Sequence, residues 1–282
     1  MSTIQVACCQ TLPDVEDPRA SAARARAALA AAVASGAQIV VLPELAHSGY
    51  IFTSAQEARA AAIPAGGELL AGWAQEASRG DAVVIGGFCE LGDDGRVFNS
   101  AAVVDRDGVL AVYRKLHLWH DEASWFTPGE RPAPVVETRH GAVGVGVCYD
   151  IEFPELTRGL ALAGAELIAL PMNWPREDRP GAAEPTPHLL ARATAFFSHV
   201  YVAVCDRGGE ERGARFQGAS VIAGPRGASL AAAAPGAGAE TVRADCDLGA
   251  TRDKRTGPRN DAIADRRPQH YMASSREEGS RG

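Results

Sequence analysis

Short apolar runs alternate with helical stretches almost from the first residue. Ile4 to Cys9 is an unbroken β-prone run. Asp17-Pro18 then supplies an N-cap and a first-turn proline for an alanine- and arginine-rich helix ending near Ser35-Gly36. Gln38 to Leu42 shows no polar alternation, the mark of a strand buried on both faces, and Pro43-Glu44 closes it. Ser54-x-x-Glu57 is a capping box at the head of a helix. Glu68 to Ser78 carries a second helical period, and Ala82 to Phe88 returns as a buried strand. Val97 to Val104 and Val109 to Tyr113, bracketed by the turns GDDG and DRDG, predict two strands of a meander.

A loop of about twenty residues holding Trp119, Trp125 and Pro128-Gly129 follows. Beyond it the alternation resumes, with a strand at Val143 to Val147, a helix opened by Pro154, a strand at Glu166 to Leu170 and a helix started by Thr186-Pro187. Val200 to Cys205, Ala219 to Ile222, Ser229 to Ala232 and Thr241 to Cys246 read as further strands. No Pro/Ser linker and no repeat interrupts the pattern. It predicts one continuous α/β domain over 1–271, with a polar tail at 272–282. The last ~30 residues, rich in Arg, Asp and Gly, are expected to be extended and ordered only against a neighbour.

A chain of 282 residues is long enough for a single large core, and its hydrophobic fraction of 46% excludes disorder. The net charge of -7 and the lack of any Lys/Arg stripe exclude a nucleic-acid partner. Six cysteines, at 8, 9, 89, 148, 205 and 246, form no C-x-x-C pair, which speaks against a disulfide frame and a zinc ribbon. Adjacent Cys8 and Cys9 are expected on opposite strand faces. Reduced thiols, the lack of a basic leader and the lack of an apolar run near ~18 residues predict a cytoplasmic protein with no membrane anchor. The seven histidines show no H-E-x-x-H, so no metal is expected. Gly141 to Gly146 superficially suggests a dinucleotide loop, yet it runs into a strand rather than out of one, and no cofactor is expected.

Ligands of α/β proteins collect where buried strands end, which singles out Glu44, Lys115 and Cys148. Singly, each has a plain explanation: a helix-entry carboxylate, a solvated strand end, a small buried hydrophobe. Together they supply a thiol nucleophile, a base to activate it and a cation for an oxyanion.

The strings VVLPEL, YRKLHLW, GVCYDIEFPE, LPMNWP, FQGAS and NDAIADRRPQHY resemble, in order, the nitrilase or carbon-nitrogen hydrolase superfamily, over Ile4 to Tyr271. The resemblance implies an α-β-β-α sandwich of two mixed sheets flanked by helices. It also implies a Glu-Lys-Cys triad in which Glu44 takes the thiol proton, Cys148 forms a thioester and Lys115 steadies the oxyanion with the backbone N–H of Tyr149. The family's second glutamate falls at Glu122, with Asp121 beside it leaving the register open. Tyr50, Asn173 and Trp174 resemble pocket-lining positions, although buried Tyr and Trp are commonly plain core. His117 reads as a hydrogen-bonded structural histidine.

The expected activity is hydrolysis of a small nonpeptide amide. A nitrilase, an N-carbamoyl hydrolase and a non-catalytic thiol redox or binding protein are the alternatives. Cys148-Tyr149-Asp150 differs from the C-W-E that nitrilases share, and this favours the amide. The acidic residues near the motifs (Asp121, Asp150, Glu152, Asp206, Glu210, Glu211) either favour a neutral or amino-bearing amide over a free carboxylate or, as such clusters usually do, lie on solvated surface. A homodimer is expected, packed through the helices after Cys148 and the Arg-rich tail.

Overall fold

The computed structural model describes residues 3–176 and 184–271. The chain divides into two units, Met1–Arg252 and Asp253–Gly282. The expected tail at 272–282 lies outside the described residues.

In the first unit the elements run β1 (Ile4–Gln10), α1 (Pro18–Ala34), β2 (Ile39–Val41), α2 (Ala55–Ala61), α3 (Glu68–Ser78), β3 (Val83–Leu91), β4 (Val97–Asp105) and β5 (Gly108–Arg114). There follow α4 (Glu122–Trp125), β6 (Val135–Thr138), β7 (Gly141–Val145), α5 (Pro154–Leu162), β8 (Leu167–Pro171), α6 (Thr186–Ser198) and β9 (Tyr201–Cys205). A short hairpin, β10 (Glu210–Glu211) and β11 (Ala214–Arg215), precedes β12 (Val221–Ala223), β13 (Ser229–Ala232) and β14 (Glu240–Cys246). Local chemistry sets many of these boundaries. Asp17 caps α1 by accepting from Ala20 N–H, with Pro18 in the first turn, and Ser54 caps α2 by accepting from Glu57 N–H. The Glu57 carboxylate reaches back to Thr53 N–H, one residue short of the expected box.

The strands form two six-stranded sheets, in the orders β14-β1-β2-β3-β4-β5 and β13-β12-β9-β8-β7-β6. Each is mixed: β1, β2 and β3 run parallel at the centre of one, and β7, β8 and β9 at the centre of the other, with antiparallel strands outside. One core joins the facing sides of both sheets, from Val6, Cys8 and Val41 to Val145, Ala169 and Val204, and extends to Leu160 and Ala191 on α5 and α6. A second core packs Cys9, Val40 and Val84 against Leu29 of α1 and Trp73 of α3. The result is the layered α-β-β-α arrangement that the motifs imply, and Cys8 and Cys9 do face opposite layers.

The segment after β5 and the second unit depart from the sequence expectation. The long loop after β5 contains the one-turn helix α4 and leads into the four-residue edge strand β6, which is too short to leave a hydrophobic signature. The second unit, described over 253–271, is not simply extended: Arg255–Gly257 pairs with Asn260–Asp261 in a small hairpin, and Pro268–His270 forms a 3-10 turn.

Candidate active site

The parallel strands of the two sheets end on a common cluster. Glu44 lies just past β2, where backbone bonds from Gly87 N–H to Pro43 O (3.0 Å) and from Ala46 N–H to Gly87 O (2.9 Å) extend the pairing with β3. Lys115 follows β5 and donates its N–H to Asn99 O on β4 at 2.9 Å. Cys148 opens a 3-10 turn, Cys148–Glu152, beyond β7, and holds a left-handed φ of +44°. A cysteine gains nothing locally from that conformation, so the surrounding turn imposes it.

Asp150 organises that turn and ties it to the lysine segment. It is fully buried and accepts from Val147 N–H at 2.9 Å, from the Tyr113 hydroxyl at 2.8 Å and from His117 N–H at 3.2 Å. The His117 ring reaches the same carboxylate through Nδ1 at 2.8 Å and stacks on Phe153 at 3.6 Å, the structural role expected for it.

At the centre, Lys115 Nζ donates to Glu44 Oε1 at 2.7 Å and to Glu122 Oε1 at 2.8 Å. Neither Lys115 nor Glu44 has any exposed surface. Asn99 Nδ2 donates to the same Glu44 oxygen at 2.6 Å, leaving Oε2 without a hydrogen bond among the described residues. Glu122 receives the Tyr50 hydroxyl at 2.6 Å on Oε1 and Trp119 N–H at 3.1 Å on Oε2. The neighbouring Asp121 side chain is 71% exposed and pairs with His120, so the structure brings Glu122, and not Asp121, to the lysine.

The electrostatics follow from burial. Desolvation pushes the Glu44 carboxyl up to about 7, with Lys115 opposing the rise and the Glu122 charge adding to it. For Lys115 burial works against the ammonium, but the charges of Glu122, Glu44 and Cys148 outweigh it and hold the amine well above its usual value. Burial first, then the Glu44 charge, drives the Cys148 thiol well above the usual cysteine range, with the Lys115 charge opposing the rise.

A cavity of about 200 Å³ opens over Cys148, walled by Trp119, Tyr149, Glu152, Asn173, Trp174 and Pro175. Cys148 Sγ lies 3.9 Å from Asn173 O at the end of β8. Larger hollows, near Arg114 and near His140, are walled mainly by polar and charged surface residues and hold none of the clustered groups. The structure thus gathers all eight residues singled out by sequence. Glu44, Lys115, Glu122 and Tyr50 form one hydrogen-bonded chain, and Cys148, Tyr149, Asn173 and Trp174 line the cavity. Sequence reasoning missed Asn99, an unremarkable position in a strand. It also misplaced three acids on the surface: Asp150, Asp206 and Glu211 are buried, and each accepts from at least one backbone N–H of a distant segment, His117 for Asp150, Trp174 for Asp206 and Tyr50 for Glu211. Among the described residues no three His, Cys, Asp or Glu side chains converge as a metal site.

A thiol, a lysine and two carboxylates assembled between paired mixed sheets define a class, the hydrolases that cleave carbon–nitrogen bonds through a cysteine. The chain belongs to the carbon-nitrogen hydrolase family, whose family model matches residues 5–256. It is 35% identical to a Pyrococcus abyssi protein named nitrilase over 272 residues, covering 95% of this chain and 99% of that one. It is 30% identical to the N-carbamoylputrescine amidase of Solanum lycopersicum, over 99% of this chain and 96% of that one. The crystal structure of an amidase from Nesterenkonia sp. superposes with a TM-score of 0.73 at 27% identity, covering 89% of this chain and 93% of that one. In a variant of that amidase, acrylamide has added to the active-site cysteine.

Proposed function

We propose that this protein hydrolyses a small nonpeptide amide to a carboxylic acid and ammonia, with Cys148 as nucleophile, Glu44 as general base and acid, and Lys115 as the oxyanion cation. The observation that carries this reading is the geometry at Glu44. One of its oxygens is committed to Lys115 and Asn99, and the other is buried and unbonded among the described residues. A carboxylate raised to about 7 is matched to exchanging protons near neutrality.

In the first half-reaction Glu44 takes the thiol proton and Cys148 sulfur bonds to the amide carbon. The oxyanion is held by Lys115 and the backbone N–H of Tyr149. Collapse breaks the C–N bond, and Glu44 returns the proton so that ammonia leaves from a thioester. Water then gives a proton to Glu44 and its oxygen to the acyl carbon, and collapse of that adduct breaks the C–S bond, frees the acid and returns the Glu44 proton to the sulfur. Glu122, bonded to Lys115 and Tyr50, keeps the ammonium aimed. The 200 Å³ cavity and its aromatic walls suit a short acyl chain.

The test is ammonia release across aliphatic amides, ω-amino amides, amino-acid amides, N-carbamoyl compounds and nitriles. A higher kcat/KM for a nitrile than for the amide of the same acyl chain, with acid and ammonia as products, would reverse the reading. Preference for N-carbamoyl compounds would place the activity with that of the tomato relative.

The same reading extends to assembly and domain extent. Leu162, Leu189, Phe196 and Phe197 on α5 and α6 are 38%, 53%, 52% and 67% exposed, and Phe196 packs edge-on against Phe197. So much aromatic surface on one helix pair supports a homodimer that buries it. The hydrolase domain is taken to run to residue 271, past the family match. Among the described residues no helix is long and apolar enough to cross a membrane, and six free thiols support a cytoplasmic site of action.

A further inference from the structure

Three segments far apart in sequence converge on one carboxylate outside the reactive cluster. Glu211, in the short β10–β11 hairpin, is 3% exposed. It accepts from Val15 N–H at 2.7 Å, Tyr50 N–H at 3.0 Å, Ile51 N–H at 2.9 Å and the Arg207 guanidinium at 2.8 Å. Arg207 is itself buried; it lies 4.0 Å over the Phe216 ring and donates to the carbonyls of Pro13 and Gly208. A carboxylate so occupied has no lone pair to spare for chemistry. Its burial is costly unless it serves to hold the backbone around it. Gly49, at φ +74°, shows how close the grip is, since a Cβ there would lie 2.2 Å from Glu211 Oε1. On the outer side of the hairpin, Arg212 bonds the Ile51 carbonyl at 2.9 Å and both oxygens of Glu57, so the segment is held from two directions.

What that segment carries is Tyr50. Its hydroxyl donates to Glu122 Oε1, the same oxygen that receives Lys115, and its ring stands edge-on to Phe216 at 6.3 Å. We infer that Glu211 is a positioning residue for catalysis: it fixes the Tyr50 backbone so that the phenol stays on Glu122, and Glu122 in turn keeps Lys115 aimed. The inference rests on the amidase reading only in taking Lys115 and Glu122 as part of the reacting site. None of the walls of the Cys148 cavity is bonded to Glu211, so substrate binding is largely untouched when it changes. The lysine's aim, needed once an oxyanion forms, is what suffers.

The test is a double-mutant cycle in the full-length protein, combining Glu211→Asp with Tyr50→Phe and reading both kcat and the rate of Cys148 alkylation by chloroacetamide. Glu211→Asp keeps the charge that pairs with Arg207 but withdraws the carboxylate by one methylene. Each single substitution is expected to lower kcat roughly ten- to a hundredfold with KM within about twofold, and Glu211→Asp is expected to add less than about twofold once Tyr50→Phe is present. A merely structural role would give independent, multiplying losses, and that result would overturn the inference. So would wild-type kcat in Glu211→Asp. Should that variant fail to fold, Glu211→Gln, which keeps the reach and drops the charge, takes its place in the same cycle. If no amide in the panel yields ammonia, the amidase reading fails; the alkylation rate then carries the cycle, because the Lys115 charge also favours the Cys148 thiolate that displaces chloride, and independent, multiplying losses there would overturn the inference.

Discussion

Gly87 passes beneath Glu44 so closely that a Cβ built on it would lie 2.4 Å from the Glu44 Cα and 2.6 Å from Leu45 N. Both obstacles are backbone atoms, which cannot swing aside as a side chain can. The base is therefore positioned by the lack of a side chain on the neighbouring strand, together with the two backbone bonds from Gly87 to Pro43 and Ala46. Gly87→Ala is expected to force the strands apart, costing about 1–3 kcal/mol of stability and most of the turnover. Denaturant unfolding and kcat measured on the same preparation check this. A variant of native stability and activity would mean that Glu44 tolerates displacement.

Cys148→Ala is expected to remove turnover by several orders of magnitude and to abolish stoichiometric alkylation. The other five thiols are buried, and burial pushes Cys9 and Cys246 up to about 12. Cys246→Ala and Cys89→Ala should accordingly retain substantial activity. Mass spectrometry of the alkylated protein, with the ammonia assay alongside, separates the two sets. Labelling that persists in Cys148→Ala at the wild-type rate would contradict the assignment.

The pH dependence follows from Glu44. Its carboxyl is raised from the ordinary glutamate value to about 7 because burial penalises the anion, and as a base it works only when ionised. kcat/KM is therefore expected to rise with pH through about 7 and to lie low at pH 5, where an unperturbed glutamate would already be largely ionised. A profile flat from pH 5 to 8 would show that no such carboxyl controls the reaction. Asn99→Ala takes away a hydrogen bond that favours the anion, so the limb should move to higher pH.

Light scattering at micromolar concentration tests the apolar face of α5 and α6. The wild-type chain is expected to run as a dimer or larger assembly, and Phe196→Asp with Phe197→Asp to shift it toward the monomer, because burying two carboxylates in an aromatic contact is strongly unfavourable. A wild-type monomer would remove the basis for the dimer.

The sequence alone determined the alternation of strands and helices, the ends of α1 and α3, and the strand-end positions of Glu44, Lys115 and Cys148. These rest on period, capping and turn chemistry, which act within a few residues. It could not decide between Asp121 and Glu122, because two adjacent acids carry the same local signal. Only the one-turn helix α4, which buries one and exposes the other, separates them. Nor could it say that Asp150, Asp206 and Glu211 are interior residues, since a carboxylate's partners lie on other segments: Glu211 draws its donors from positions 15, 50, 51 and 207. The joining of Glu44 to Asn99 and of Glu122 to Tyr50 likewise spans 55 and 72 residues. Such pairings exist only once β2, β3, β4 and β5 lie side by side in the first sheet, and Cys148 joins them from the second. Local propensity brings each residue to the end of its own strand, and the order of the strands decides which residues meet there.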